Sequence, residues 1–160
     1  MSSTSQSGSA ATAGRHGPTA VQKAARLVGI VFLLVGVLGF IPGITSNYDT
    51  LQFASHHSEA KLLGLFQVSI LHNIVHLLFG VAGLALARSI RGAKGYLIGG
   101  GVIYLVLWVY GLVTDKTSEA NFVPLNTADD WLHLVLGLGM VALGIVGRNA
   151  MRRTAGPVRA

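Results

Sequence analysis

The sequence predicts an all-α membrane protein: a four-transmembrane-helix bundle made of two repeated helical hairpins. Three observations lead there. Apolar residues make up 51% of the chain and charged residues 11%, well short of the roughly 25% charge usual in soluble proteins. Four stretches carry no charge: residues 27–48, 62–87, 95–114 and 131–147. The charges that remain are sorted by sign along the chain.

Each uncharged stretch meets the roughly 17–25 apolar residues that a spanning helix needs, the last only just. Helices are expected at about 24–44, 63–87, 95–114 and 130–148, within a domain covering 23–148. Residues 1–22 are rich in Ser, Thr, Ala and Gly without hydrophobic periodicity, and read as a disordered tail. Residues 149–160 read as a basic tail. Lys23 and Arg26 give the first stretch the basic start of a signal peptide, but no small-x-small cleavage site precedes Pro42, so it reads as a retained helix.

Orientation follows from the bias of Lys and Arg. With the N-terminus inside, the inner segments hold 10 of the 12 basic residues, and the outer loops hold only Lys61 and Lys116. All six acids (Asp49, Glu59, Asp115, Glu119, Asp129 and Asp130) fall outside. Both termini are therefore expected in the cytoplasm. Basic residues at the ends of apolar runs, rather than in a stripe along one helix, also argue against a nucleic-acid partner despite the net charge of +6. The lipid bilayer is the expected partner. With no cysteine, disulfides, thiolate metal sites and cysteine nucleophiles are excluded.

The halves resemble each other. His76-Leu77-Leu78-Phe79-Gly80 matches His133-Leu134-Val135-Leu136-Gly137, and His72-Asn73 matches Asp129-Asp130 in polarity. Helices 1 and 3 are more loosely alike. Two hairpins of one orientation imply a parallel repeat about an axis along the membrane normal.

Small residues recur at spacings of three and four, which keeps them on one helix face. The seams are Gly29, Phe32, Gly36 and Gly39 in helix 1, and Ser69, His72/Asn73, His76, Gly80, Gly83 and Ala87 in helix 2. Helix 4 offers Asp130, His133, Gly137, Met140, Gly144 and Gly147, and helix 3 offers Gly95, Gly99, Gly100 and Gly101. Close backbone approach drives helix pairing in lipid. A lipid-facing Gly95/Gly99 patch would instead serve a second copy of the chain or a larger membrane complex.

The chemistry concentrates in one polar cluster: Ser69, His72, Asn73, His76, Asp129, Asp130 and His133. His76 lies 12 residues from Arg88 and His133 lies 15 from Arg148, or ~18 and ~22 Å along a helix, in the outer half of a core about 30 Å thick. Ionisable groups there are costly and face the bundle interior. Three readings compete. In the first, non-enzymatic one, His76 and His133 hydrogen-bond across the helices while Asn73 and Asp130 fix their tautomers. In the second, His72 or His76 with His133 binds a b-type haem, or His76, His133 and Asp130 hold a transition metal. In the third, a His/Asp chain relays protons, but no polar group in the inner half continues it. Phosphate loops, nucleophile elbows and paired buried carboxylates are absent. His56 and His57 read as part of a solvated loop beside Glu59, with a surface copper or zinc site as the alternative. Tyr104, Trp108, Tyr110 and Trp131 read as interfacial anchors.

Two segments carry a family resemblance: His72-Asn73-Ile74-Val75-His76-Leu77-Leu78-Phe79-Gly80 and Asp129-Asp130-Trp131-Leu132-His133-Leu134-Val135-Leu136-Gly137. They resemble the signature of a family of small four-helix bacterial membrane proteins of unknown function, frequent in actinomycete-type bacteria. The resemblance covers about Lys23 to Arg148. It implies a multi-pass protein of the bacterial plasma membrane and no assigned activity.

Overall fold

The computed structural model describes residues 17–154. Four helices dominate: α1 (Ala20–Leu38), α2 (Ile70–Leu86), α3 (Ile90–Val113) and α4 (Thr127–Thr154). The α1–α2 connection carries three short antiparallel strands in the order β1 (Thr45–Ser46), β2 (Lys61–Leu62), β3 (Phe66–Gln67). Leu62 pairs with Thr45 on one side and Phe66 on the other. By length and composition α1, α3 and the Thr127–Val146 part of α4 suffice to cross a membrane. The apolar α2 is shorter, at 17 residues.

Local chemistry moves several helix ends from their expected places, while α2 and α3 finish within one residue of theirs, at Leu86 and Val113. The first helix starts at Ala20 rather than about residue 24, because Gln22 Oε1 accepts from Thr19 N and Thr19 Oγ1 at 3.1 and 3.0 Å. The last residues of the expected tail are thus helical, and residues 1–16 lie outside the described residues. It stops at Leu38 rather than 44, where Pro42 and Gly43 (φ +90°) turn the chain and Thr45 Oγ1 donates to the Leu38 carbonyl at 3.1 Å. The second helix does not begin at 63. Leu63 and Gly64 take φ of +54° and +70° to close the β2–β3 hairpin, and Ser69 caps α2 by accepting from His72 N at 3.1 Å. Ser89 caps α3 in the same way through Gly92 N at 3.0 Å, so α3 starts at Ile90 rather than 95 and takes in Arg91 and Lys94. The fourth helix begins at Thr127 rather than 130 and continues through 149–154, where a tail was expected; residues 155–160 lie outside the described residues.

Glycines set the packing of α1 on α2 and of α3 on α4. A Cβ on Gly29 would stand 3.0 Å from the Gly80 carbonyl oxygen, and one on Gly137 would stand 3.0 Å from that of Gly101. The expected seams of α1, α2 and α4 are buried where described. In α3 the seam is displaced. Gly100 and Gly101 pack inward against Phe79 and Val141, whereas Gly95 and Gly99 have open space around them. Between the hairpins sits an aromatic core of Phe32, Phe79, Tyr96 and Tyr104. Tyr104 is therefore a core residue and not an interfacial anchor. Trp131 is exposed. Around this core the helices turn out Leu27, Leu34, Leu78, Val106 and Val135, each more than half exposed, an apolar belt suited to lipid as solvent.

Candidate functional site

The site lies at the loop end of the bundle, where α1 and α3 finish and α2 and α4 begin. The i, i+4 spacing of His72 and His76 places both rings on the inner face of α2, with centroids 4.5 Å apart. His133 projects from the facing side of α4. All three are buried. A chain of rings links them: His76 to Phe32 at 5.6 Å, Phe32 to Tyr104 at 5.4 Å, and Tyr104 to His133 at 5.1 Å.

Burial and ring contacts run in parallel in the two hairpins here. Phe32 stands to His76 as Tyr104 stands to His133. The α2 residues His72, Asn73, His76, Gly80 and Gly83 are buried, and so are their α4 counterparts Asp129, Asp130, His133, Gly137 and Met140. Asn73 lies against Gly39, and Asp130 lies against Gly111; a side chain on either glycine would run into its partner.

Charge breaks this likeness. Lys116, in the α3–α4 loop, sets its ammonium 2.9 Å from both Asp130 oxygens and 2.7 Å from the Gly111 carbonyl. Asp130 is thereby held by Lys116. Asn73 has neither amide atom hydrogen-bonded. Among the described residues no hydrogen bond joins His76 to His133, and Asn73 and Asp130 orient neither ring, so the expected cross-helix glue is not made. Nor do His76, His133 and Asp130 gather as a metal-binding trio. The three-donor grouping found among the described residues is His56, His57 and Glu119 instead, where Glu59 had been the expected neighbour.

Asp129 has a structural task. Asn126 Oδ1 accepts from the N–H groups of Ala128 and Asp129 at 2.8 and 3.0 Å, and Asp129 Oδ2 accepts from Asn126 N at 2.9 Å. This reciprocal pair is a capping box. The same carboxylate oxygen accepts from Gln67 N at 3.0 Å, and Asn126 Nδ2 donates to the Leu65 carbonyl at 2.8 Å. The start of α4 is thus fastened to the β2–β3 hairpin.

Two apolar cavities flank the histidines. One, of about 340 Å³, opens between α1 and α4, with walls that include Val31, Val35, Phe66 and Leu136. The other, of about 310 Å³, opens between α2 and α3, with Val75, Leu107, Phe122 and Leu125. His72, His76, Tyr104 and His133 line both. Each of the three histidines keeps Nδ1 buried and without a hydrogen-bond partner.

A family model described as a domain of unknown function (DUF4383) matches residues 22–146. The chain belongs to that family. The matched DUF4383 region runs from the first turn of α1 through the apolar part of α4, and so contains every residue of the cluster. No curated protein and no solved structure matches the chain.

The sequence places Phe32 in a packing seam, Tyr104 at the interface and Lys116 in an outer loop, and puts none of the three at the site. For the first two the expected repeat offers a signal, since Phe32 faces His76 as Tyr104 faces His133. Lys116 offered none: it joins Asp130 across a loop with no local pattern.

Proposed function

We propose that this chain is a four-span protein of the bacterial plasma membrane, with both termini cytoplasmic, that binds a small lipid-soluble molecule beside its histidine cluster. The ligand class is uncharged and largely apolar, with carbonyl or hydroxyl groups for the histidines, on the scale of a quinone ring. One observation carries this reading: two apolar cavities share three buried histidines whose Nδ1 atoms have no partner. Apolar walls with a few convergent polar groups are the usual make-up of a small-molecule site. Neutral imidazole offers one donor and one acceptor, so it suits a carbonyl or a hydroxyl equally.

Four spans are supported by the packing. The α2 helix lies along α1 from the Gly29–Gly83 contact to the Gly39–Asn73 contact. Its 17 residues reach about 26 Å, and the bilayer accommodates a short helix by modest thinning. The matched burial of the two hairpins supports an internal duplication. The Lys/Arg distribution supports the orientation. Because the chain has no native cysteine, topology is tested directly with Glu59→Cys and Ala160→Cys in intact cells. A membrane-impermeant maleimide is expected to label the first and spare the second; the reverse pattern would overturn the orientation.

Ligand binding is tested by titrating the detergent-purified protein with a short-chain benzoquinone while following Trp108 and Trp131 fluorescence, together with mass analysis of its organic extract. Saturable quenching that His76→Leu and His133→Leu weaken at least tenfold is expected. Identical titrations in wild type and both variants, with no co-extracted small molecule, would refute the reading.

A further inference from the structure

We propose that His56, His57 and Glu119 form a binding site for a divalent transition metal, of the zinc or copper(II) type, on the loop face of the protein. One ligand atom from each side chain lies within 4.8 Å of the other two. His56 Nδ1 is 3.9 Å from Glu119 Oε1. A tetrahedral zinc site with bonds of about 2.0–2.1 Å has donor–donor edges of about 3.3 Å, so small side-chain rotations close the set. The donors are two imidazoles and a carboxylate, a combination that suits zinc and copper(II) and disfavours magnesium or calcium. Three protein ligands leave a fourth position for water.

Two further observations separate this trio from a chance meeting of loop side chains. His56 Nδ1 is buried and has no hydrogen-bond partner, although its side chain is only 12% exposed. Both loops that present the ligands are held by hydrogen bonds. Ser58 Oγ donates to the Val68 carbonyl at 2.6 Å, Gln67 Nε2 donates to the Ser58 carbonyl at 2.7 Å, and Ser55 Oγ accepts from His57 N at 3.1 Å. On the other loop, Asn121 Nδ2 donates to the Lys116 carbonyl at 3.1 Å, and the Tyr110 hydroxyl donates to the Ala120 carbonyl. Asp115 adds negative charge nearby. Its carboxylate accepts from Thr117 N and Oγ1, which holds its pKa below the usual carboxylate range, with a smaller contribution from His56.

The site joins the α1–α2 loop to the α3–α4 loop, so a bound ion clips the two hairpins together at the loop end. The experiment is equilibrium dialysis of untagged wild-type protein in detergent against Zn²⁺, and separately Cu²⁺, with metal content measured by mass spectrometry. One equivalent bound at micromolar free metal is expected, with at least tenfold loss in His57→Ala and in Glu119→Gln. Both residues are exposed, so both variants should match wild type in metal-free melting. His76→Gln/His133→Gln is expected to bind normally. Hydrogen exchange at residues 55–58 and 115–120 is expected to slow together on adding metal. Binding only at millimolar metal, or binding that survives both loop variants, would overturn the site; so would loss confined to the His76/His133 variant.

Discussion

Lys116 places its ammonium 2.9 Å from the Asp130 carboxylate, whereas the matching place in the first hairpin holds the uncharged Asn73. The pair is unevenly buried: the Asp130 side chain is 6% exposed and that of Lys116 is 32% exposed. Removing one partner of a buried pair strands the other charge, at a cost of about 3 kcal/mol. Lys116→Met is therefore expected to lower the melting temperature in detergent markedly. Asp130→Asn should cost less, since it sets against Gly111 the same amide that Asn73 sets against Gly39, and Lys116 keeps access to water. The double variant Lys116→Met/Asp130→Asn should melt above Lys116→Met alone. A double variant that melts lower than both single ones would show that the pair is not the unit that matters.

The helix contacts make an equally sharp contrast among glycines. Gly101 meets Gly137 and Val141, and a Cβ there would stand 2.8 Å from the Gly137 carbonyl oxygen. Gly101→Ala must push α3 off α4, and overpacking of this kind costs about 1–3 kcal/mol. Gly99 lies two residues away with open space around it, so Gly99→Ala should be neutral or slightly stabilising, as alanine is the better helix former. Thermal melts of the two variants decide this. Equal destabilisation would mean that Gly99 is covered by another helix, as in a dimer or a larger complex.

Asp129 serves the cap of α4 and the Gln67 N–H through one oxygen. Its loss removes a cap and frees a hairpin, at about 1–2 kcal/mol. For Asp129→Ala, faster hydrogen exchange is expected at residues 61–68, well away in sequence from the mutated position, with little change in α3. Unchanged exchange in 61–68 would remove Asp129 from its role as the tie between the two loops.

How much of this was legible beforehand varied with the range of the interaction. Helix number, the seams of α1, α2 and α4, and the burial of His72, His76 and His133 followed from periodicity and from the cost of polar groups among apolar ones. Helix starts and the end of α1 did not, because they depend on single hydrogen bonds such as Gln22 to Thr19 and on the positive φ of Leu63 and Gly64. The α3 seam misled because four glycines on one helix offer two faces, and only Gly100 and Gly101 meet neighbours. The role of Asp130 changed because its partner, Lys116, lies in a loop whose path no local pattern predicts. Glu119 displaced Glu59 beside the paired histidines for the same reason.

A b-type haem between His76 and His133 would need open space for a flat macrocycle with both imidazoles on its iron. Instead the two rings are linked through Phe32 and Tyr104, in centroid steps of 5.6, 5.4 and 5.1 Å. The free volume is divided into about 340 Å³ on one side and 310 Å³ on the other, with the histidines and Tyr104 lining both. Such half-sites fit a ring-sized ligand on either side better than one macrocycle across the middle. Protein purified after expression with ample haem is therefore expected to give a reduced-minus-oxidised spectrum without an α-band. An α-band that disappears in both His76→Ala and His133→Ala would assign the histidines to iron and replace the small lipid-soluble ligand with haem.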